Sequence, residues 1–487
     1  MSFAELPVEL REMICVHCDL FQIKALRLTC HSLRNVADDY LFAEIVTVMT
    51  IDSMEAARNV ADHPKFRTQP RTLWFQGDRL RQLEFYEWKS KLASHIDFKA
   101  QTAKINMKHV EELGEILTEQ ERQAEVNPEL EARRKVLLEL IRLTADAQPT
   151  PSYSETQLRD HFNHYSSLAD EGVQIASDGT IQRCMKAVFE KCTNIRAIDF
   201  TIANALRVHT HKENRTFLKG ILTPFGDFAQ DREGLDAMVA IVLAAADAGF
   251  SPHTLRLGCV TFHLVNHPDL FEAMPRFLAR VENLNWSLST PYLDEDCDDF
   301  DEAEISNIME GFMDGHFVEF IKSATNLRCF EIDMPCPIPT EPKADLSEVV
   351  GLMSWKHLQV FSVGTIHANS GDLVDFMLRH ADTLERLELN EISIDGEWPE
   401  CFSSFAGKLP RLKEVQLRGI FEDDYEFFCF FGHLYTSRGN EYSQRVARYI
   451  VEGGEEFPMP PAGDDENSTL DTGSEDDVES SEASDEA

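Results

Sequence analysis

Apolar residues in the first part of the chain recur at helical spacing. Leu6 and Pro7 open this segment, and proline is well placed in the first turn of a helix because its missing N–H would have no partner there. Leu10 and Ile14 follow four residues apart. Further along, apolar residues recur every three or four positions and predict one apolar stripe along a single helix. The residues of this stripe are Ile23, Leu26, Cys30, Leu33 and Ala37.

Leu28 lies away from that stripe. At about 100° per residue it is about 200° around the helix from Leu26, so this short segment is apolar on two sides. A unit of about forty residues cannot cover both sides with its own chain. We therefore expect something outside the unit to cover the side that carries Leu28.

The segment resembles an F-box, in the form found in filamentous-fungal proteins. The matching residues are Leu6, Pro7, Glu9, Leu10, Ile14, 26–30, 32–34, Ala37, Leu41, Phe42 and Ile45. Their order and spacing hold without a gap. The sequence departs from the family pattern twice, since Cys18 and Asp19 stand where Leu-Pro is usual and Gln22 stands where an acidic residue usually caps the next helix. Loss of that cap weakens the helix by about 1 kcal/mol.

The resemblance implies that residues 1–48 bind the Skp-type adaptor, and through it the cullin, of a cullin-RING ubiquitin ligase. It also implies the residues of the adaptor-binding face and its supporting core. These are Leu6, Pro7, Leu10, Ile14, Ile23, Leu26, Leu28 and Leu33. The alternative is an ordinary N-terminal helical bundle.

Beyond this unit, alternating apolar residues predict short strands. Leu73 and Phe75 form the first, ahead of a charged and mostly helical region. A pattern of Leu-x-x-apolar-x-apolar then recurs. Its leucines lie at positions 327, 358, 384 and 412, and Ile195 begins an earlier copy. Two less regular strands begin at 255 and 284. The spacing is similar to that of leucine-rich repeats, with a period of about 20–29 residues. The asparagine that usually closes such a repeat is replaced by Ile392 and Ile420, so the pattern resembles the degenerate repeats of F-box proteins.

One strand and one helix cannot bury their apolar sides alone, so units of this kind must stack. We therefore expect an α/β chain in four parts. They are a short helical F-box-like unit (1–48), a short strand with a charged helical insertion (49–152), an irregular leucine-rich-repeat-like array (153–452) and a disordered acidic tail (453–487). A mixed α+β domain of another topology is the alternative.

The charge balance excludes some classes of partner. Against 46 Lys and Arg stand 85 Asp and Glu, for a net charge of −39. A nucleic-acid-binding surface needs clustered Lys and Arg, so we expect no nucleic-acid partner. The longest apolar run, 237–246, is too short to cross a membrane. The first ten residues have no basic region followed by an apolar one, so we expect no secretory signal. The 11 cysteines are scattered, so we expect reduced thiols in the cytoplasm or nucleus.

Two patterns resemble metal sites. Cys15 and Cys18 form a Cys-x-x-Cys pair with Cys30 nearby, but all three fall on the F-box-like pattern, and free cysteine is commonly buried. His161 and His164 lie one turn apart on a predicted helix, without a thiol or carboxylate at motif spacing. His209 and His211 lie two residues apart in a predicted loop, also without a thiol or carboxylate at motif spacing. We expect structural cysteines, surface histidines and no metal or other cofactor.

No motif for catalysis is present: the sequence has no phosphate-binding glycine loop, no G-x-S-x-G and no H-E-x-x-H. We therefore expect a non-enzyme, a substrate receptor whose array holds a protein substrate of unknown identity. The alternative is an adaptor-independent scaffold whose acidic tail binds basic partners such as histones and loses them as salt rises.

Overall fold

The computed structural model describes residues 6–18, 20–93, 153–202, 232–289, 310–334, 343–424, 427–430 and 437–459. Over these residues the chain is an α/β protein built around a sheet of 13 strands. All of them run parallel except the last, which is antiparallel to its neighbour.

The strands are β1 (Glu44–Val48), β2 (Thr72–Gln76), β3 (Ala197–Thr201), β4 (Thr254–Thr261), β5 (Asn283–Ser289), β6 (Cys329–Asp333), β7 (Ala344–Asp345), β8 (Val360–Gly364), β9 (Ile366–Asn369), β10 (Arg386–Asn390), β11 (Ser393–Asp395), β12 (Glu414–Glu422) and β13 (Phe427–Phe430). The helices are α1 (Val8–Val16), α2 (Leu20–Thr29), α3 (His31–Ala37), α4 (Ile51–Asp62), α5 (Glu155–Ser177), α6 (Thr180–Lys191), α7 (Arg232–Asp247), α8 (Met274–Leu278), α9 (His316–Ile321), α10 (Leu346–Val350), α11 (Ser370–Arg379), α12 (Trp398–Phe405) and α13 (Ser437–Glu452). Residues 85–93 are also helical.

The sheet follows the chain. Its main ladder runs β1-β2-β3-β4-β5-β6-β8-β10-β12, and each crossover between neighbours contains at least one helix, as parallel pairing requires. One register row is apolar from end to end. It consists of Ile45, Leu73, Ile198, Leu255, Leu284, Phe330, Phe361, Leu387 and Val415. The predicted alternating patterns therefore correspond to strands of this ladder.

A second, shorter ladder lies at the carboxyl ends of the last strands. It consists of β7, β9, β11 and the end of β12. The turn between the two ladders is left-handed: φ is 55° at Thr365 between β8 and β9, 54° at Glu391 after β10 and 78° at Gly419 within β12. Cys259 in β4 has φ 54° at the corresponding place. Non-glycine residues rarely adopt this conformation, so the strand pairing on either side of each position holds them there against local preference.

The main core lies between the helices and one face of the sheet. It is rich in aromatic rings: the centroids of Phe330 and Phe361 on adjacent strands are 5.9 Å apart, and Phe376 of α11 lies 4.4 Å from Phe361. The apolar run 237–246 falls in α7, which is largely buried here. No helix in the described part of the chain is long and apolar enough to span a membrane.

The opposite face of the sheet is covered at its first strands. Trp74 of β2 packs there with Trp88 and Tyr165, which belong to the helical segment 85–93 and to α5. The Tyr165 hydroxyl donates to the carbonyl of Arg81 over 2.7 Å. The charged region after β2 therefore contributes a helical layer on this face.

The predicted single helix carrying the stripe from Ile23 to Ala37 is wrong. α2 ends at Thr29, Cys30 is extended with φ −159° and ψ 164°, and α3 begins at His31. The apolar residues converge from two short helices that pack together instead of lying along one. Cys30 is consequently exposed and not on a buried stripe.

The sheet extends across two of the predicted domain boundaries. β1 starts at Glu44, inside the predicted unit 1–48, and β2 lies in the predicted segment 49–152. Both strands belong to the same sheet as the strands within 153–452. The rest of the charged insertion (94–152), His209, His211 and the acidic tail after residue 459 lie outside the described residues.

His380 gives a pH-dependent prediction. Its side chain is buried, its Nε2 accepts from the Trp355 N–H (3.1 Å), and its Nδ1 lies 2.9 Å from the Phe376 carbonyl, so the neutral ring donates from Nδ1. Burial lowers the pKa of His380 from its ordinary 6.5. The unfolded chain therefore takes up a proton more readily, and the stabilisation present above pH 6.5 is lost as pH falls.

We expect His380→Gln to remove this part of the pH dependence. Urea unfolding at about pH 7.5 and about pH 5.5 measures it, and the difference in unfolding free energy should be smaller for the variant than for the wild type. An equal difference for the two proteins would contradict the assignment.

Candidate functional site

The first candidate site is the N-terminal apolar surface, which we define as Leu10, Met13 and Ile14 of α1 and Leu28 of α2. All four side chains are exposed, and Leu28 is 88% exposed. A leucine at this exposure forgoes about 1.5–3 kcal/mol of burial free energy. Exposed apolar side chains of this kind make the surface a candidate binding site.

A small core lies beneath this surface. Cys15, Ile23, Val36 and Ala37 are buried together, with Leu26 packed against them. The predicted adaptor-binding set accordingly falls into three classes of burial. Pro7, Leu10, Ile14 and Leu28 are exposed, Leu6 and Leu26 are partly buried, and Ile23 and Leu33 are buried.

Polar contacts fix the three helices. The Arg11 guanidinium of α1 donates to the Ser32 carbonyl of α3 over 3.1 Å. Asp38 accepts from Arg27 (2.5 Å) and from Lys65 (2.9 Å). Burial acts to raise the pKa of Asp38, but these two hydrogen bonds outweigh it and keep the pKa below its usual value. Arg27 is thereby held against Asp38, while Leu28, about 100° further around α2, points into solvent.

The second candidate site is a groove on the face of the sheet opposite the main core, which we call the strand-face groove. It has a volume of about 300 Å³. Two register rows across β5, β6, β8, β10 and β12 line it. The first row is Asn285, Glu331, Ser362, Glu388 and Gln416, and the second is Ser287, Asp333, Gly364, Asn390 and Arg418.

Hydrogen bonds link neighbours in the first row. Glu331 accepts from the Asn285 amide and from the Cys329 thiol, whose sulfur lies 3.2 Å from Oε1. Glu388 accepts from the Ser362 hydroxyl over 3.3 Å and pairs with Arg386. Burial and the Glu331 carboxylate raise the pKa of the Cys329 thiol, which is therefore protonated at neutral pH and a poor nucleophile.

In the second row and at the residues just after it, carboxylates lie over glycines. A Cβ on Gly364 would lie 2.3 Å from Oδ1 of Asp333, and one on Gly419 would lie 2.2 Å from Cγ of Glu391. Partial removal from water and the nearby Glu391 raise the pKa of Asp333. Neither Asp333 nor Glu391 forms an ion pair with another described residue, so negative charge is concentrated at this end of the strands.

The predicted structural cysteines and surface histidines have the following positions. Cys15 is buried and burial raises the pKa of its thiol, while Cys18 is partly buried. His161 packs edge-on against Tyr153, and His164 is exposed. No cluster of three His, Cys, Asp or Glu side chains in the described ranges has the arrangement of a metal site.

No protein-family model matches the chain, and no curated protein is significantly similar to it. The two surfaces themselves therefore carry the functional inference. Sequence reasoning pointed to the first and missed the second. The available signal was the polar residue between the two apolar residues of each strand, as in Phe330-Glu331-Ile332 and Leu387-Glu388-Leu389.

Proposed function

We propose that the chain is a substrate-receptor subunit of an SCF-type ubiquitin ligase. The N-terminal apolar surface binds a Skp-type adaptor, which connects the chain to a cullin, and the sheet region binds a protein substrate. The observation that carries the proposal is Leu28, which is 88% exposed on a helix whose other side is fixed by Ile23 and by the Arg27–Asp38 pair. The F-box resemblance supplies the class of partner.

The sheet region supports a finer proposal, an irregular leucine-rich-repeat-like array. The strands of the main ladder follow one another in chain order, in register and with helices between them. The repeat leucines Leu327, Leu358, Leu384 and Leu412 are all buried ahead of their strands. The array departs from a regular horseshoe because left-handed turns lead several strands into the second ladder.

In this role the chain needs no catalytic residue. It acts in the cytoplasm or nucleus by holding the substrate near a ubiquitin-carrying enzyme that the cullin recruits. Such tethering raises the effective concentration of substrate lysines to about the millimolar range. The specificity of the ligase then depends on the surface that contacts the substrate.

Size-exclusion chromatography of the purified chain mixed with a Skp-type adaptor tests the proposal. We expect a stable complex for the wild type and none for the double variant Leu6→Ala, Pro7→Ala, since these residues open α1 and order the segment that carries Leu10 and Ile14. The control is Pro64→Ala with Leu352→Ala, which makes the same two changes at exposed positions elsewhere.

Two outcomes would contradict the proposal: no adaptor complex with the wild type, or equal complex formation by the double variant. Recovery of basic proteins alone, which elute as salt rises, would favour the scaffold alternative.

A further inference from the structure

The side chains that point into the strand-face groove are polar. Its two register rows are Asn, Ser, Gln, Gly and charged residues, while the apolar residues of the same strands face the main core. A ligand of this surface therefore gains little from apolar contact and much from hydrogen bonds and charge.

The charge in and around the groove is unbalanced. The described residues that line it carry three carboxylates and one guanidinium group, Glu331, Asp333, Glu388 and Arg418. The carboxylate of Glu391 lies near Asp333 at the end of the groove. Arg386 is engaged with Glu388 and lies 3.9 Å from Glu414, while Arg418 donates to the Gln416 amide oxygen. Asp333 and Glu391 form no ion pair with any residue that the structure describes, and Glu331 has Arg386 as a more distant cationic neighbour that is already paired with Glu388.

The shape of the groove fits an extended segment. Five strands at about 4.8 Å spacing span about 19 Å, which matches roughly six residues of extended chain at about 3.3 Å each. The backbone at Gly364 lets Asp333 reach across the floor toward this path.

We propose that the strand-face groove binds an extended segment of the substrate protein that carries Lys or Arg side chains, which pair with Glu331, Asp333 and Glu391. The inference rests on the proposed function, because it assigns a chemical class to the substrate of that receptor. Fields of uncompensated charge in a concave surface attract oppositely charged ligands and reject ligands of like charge.

The test measures peptide binding to the full-length chain. The probes are fluorescein-labelled peptides of about ten residues with alternating Lys and Ser, and the same peptide with Glu in place of Lys, at about 150 mM salt. The groove variant is Glu331→Gln, Asp333→Asn, Glu391→Gln. The control variant, Glu272→Gln, Asp375→Asn, Glu400→Gln, makes the same change in charge at exposed carboxylates elsewhere.

We expect the wild type to bind the Lys peptide, the groove variant to bind it about tenfold more weakly, and the control variant to stay within about twofold. Equal losses for both variants would assign the binding to overall charge and overturn the proposal. It would also be overturned by unchanged binding in the groove variant, or by equal binding of the Glu peptide.

Measuring formation of the adaptor complex distinguishes failure of the groove proposal from failure of the proposed function. The groove variant should still form it, because none of its substitutions lies in the N-terminal unit. Loss of peptide specificity with an intact adaptor complex removes only the assignment of the groove. Absence of the adaptor complex in the wild type removes the receptor function.

Discussion

Leu28→Asp is expected to abolish binding of the Skp-type adaptor while the chain remains folded. The side chain is 88% exposed, so the substitution removes little from the interior. In the complex it would forgo about 1.5–3 kcal/mol of apolar burial and force a carboxylate out of water at a further cost of several kcal/mol. Since about 1.4 kcal/mol corresponds to a factor of ten, affinity should fall by at least about 100-fold.

The chain offers a matched control for this substitution. Leu352 is 91% exposed and follows α10, far along the sequence from α2. Leu352→Asp makes the same chemical change and should leave adaptor binding intact. Titration of labelled adaptor measures both affinities, and urea unfolding should show each variant within about 0.5 kcal/mol of the wild type.

Unchanged binding by Leu28→Asp would show that α2 is not part of the docking face. Equal losses for the two variants would indicate a general effect of added negative charge on an already acidic chain.

Much of the fold could be predicted because local patterns and long-range packing agree. In most strands of the main ladder the apolar residues that alternate in sequence, such as Phe361 and Val363, are buried against helices. The exposure of Leu28 was likewise predictable, since it follows from helical geometry alone.

The break at Cys30 could not be predicted from the apolar spacing. No glycine or proline marks it. The Thr29 hydroxyl donates to the Leu26 carbonyl at the end of α2, and α3 turns back to pack on α2 and α1. A local hydrogen bond of this kind competes with helix continuation, but tertiary packing decides the outcome.

The left-handed turns and the strand-face groove could not be predicted from the sequence, for a related reason. Thr365 and Glu391 are residues that seldom adopt positive φ, and long-range strand pairing on either side of them imposes it. The sequence shows which position of each strand is polar, but Glu331 and Glu388 belong to strands that are separated by many residues. They come into the same row only through the pairing register of the strands, and a single sequence does not specify that register for parallel strands.

Phe361→Ala should cause the largest loss of stability among the substitutions considered, about 3–5 kcal/mol. Phe361 has no exposed surface, and its ring contacts Phe330 of β6 and Phe376 of α11. The cavity would therefore open between two neighbouring strands and a helix. Phe361→Leu keeps most of the volume and should cost about 1.5 kcal/mol or less.

Urea unfolding measures these losses, and Phe271→Ala is the control because Phe271 is 76% exposed and should change stability by about 0.5 kcal/mol or less. A loss at Phe361 no greater than at Phe271 would contradict the packing. Neighbouring units bury their apolar sides only against one another, so one cavity weakens contacts on both sides of it. Adaptor binding under folding conditions should survive Phe361→Ala, because the substitution lies outside the N-terminal unit and leaves Leu28 exposed.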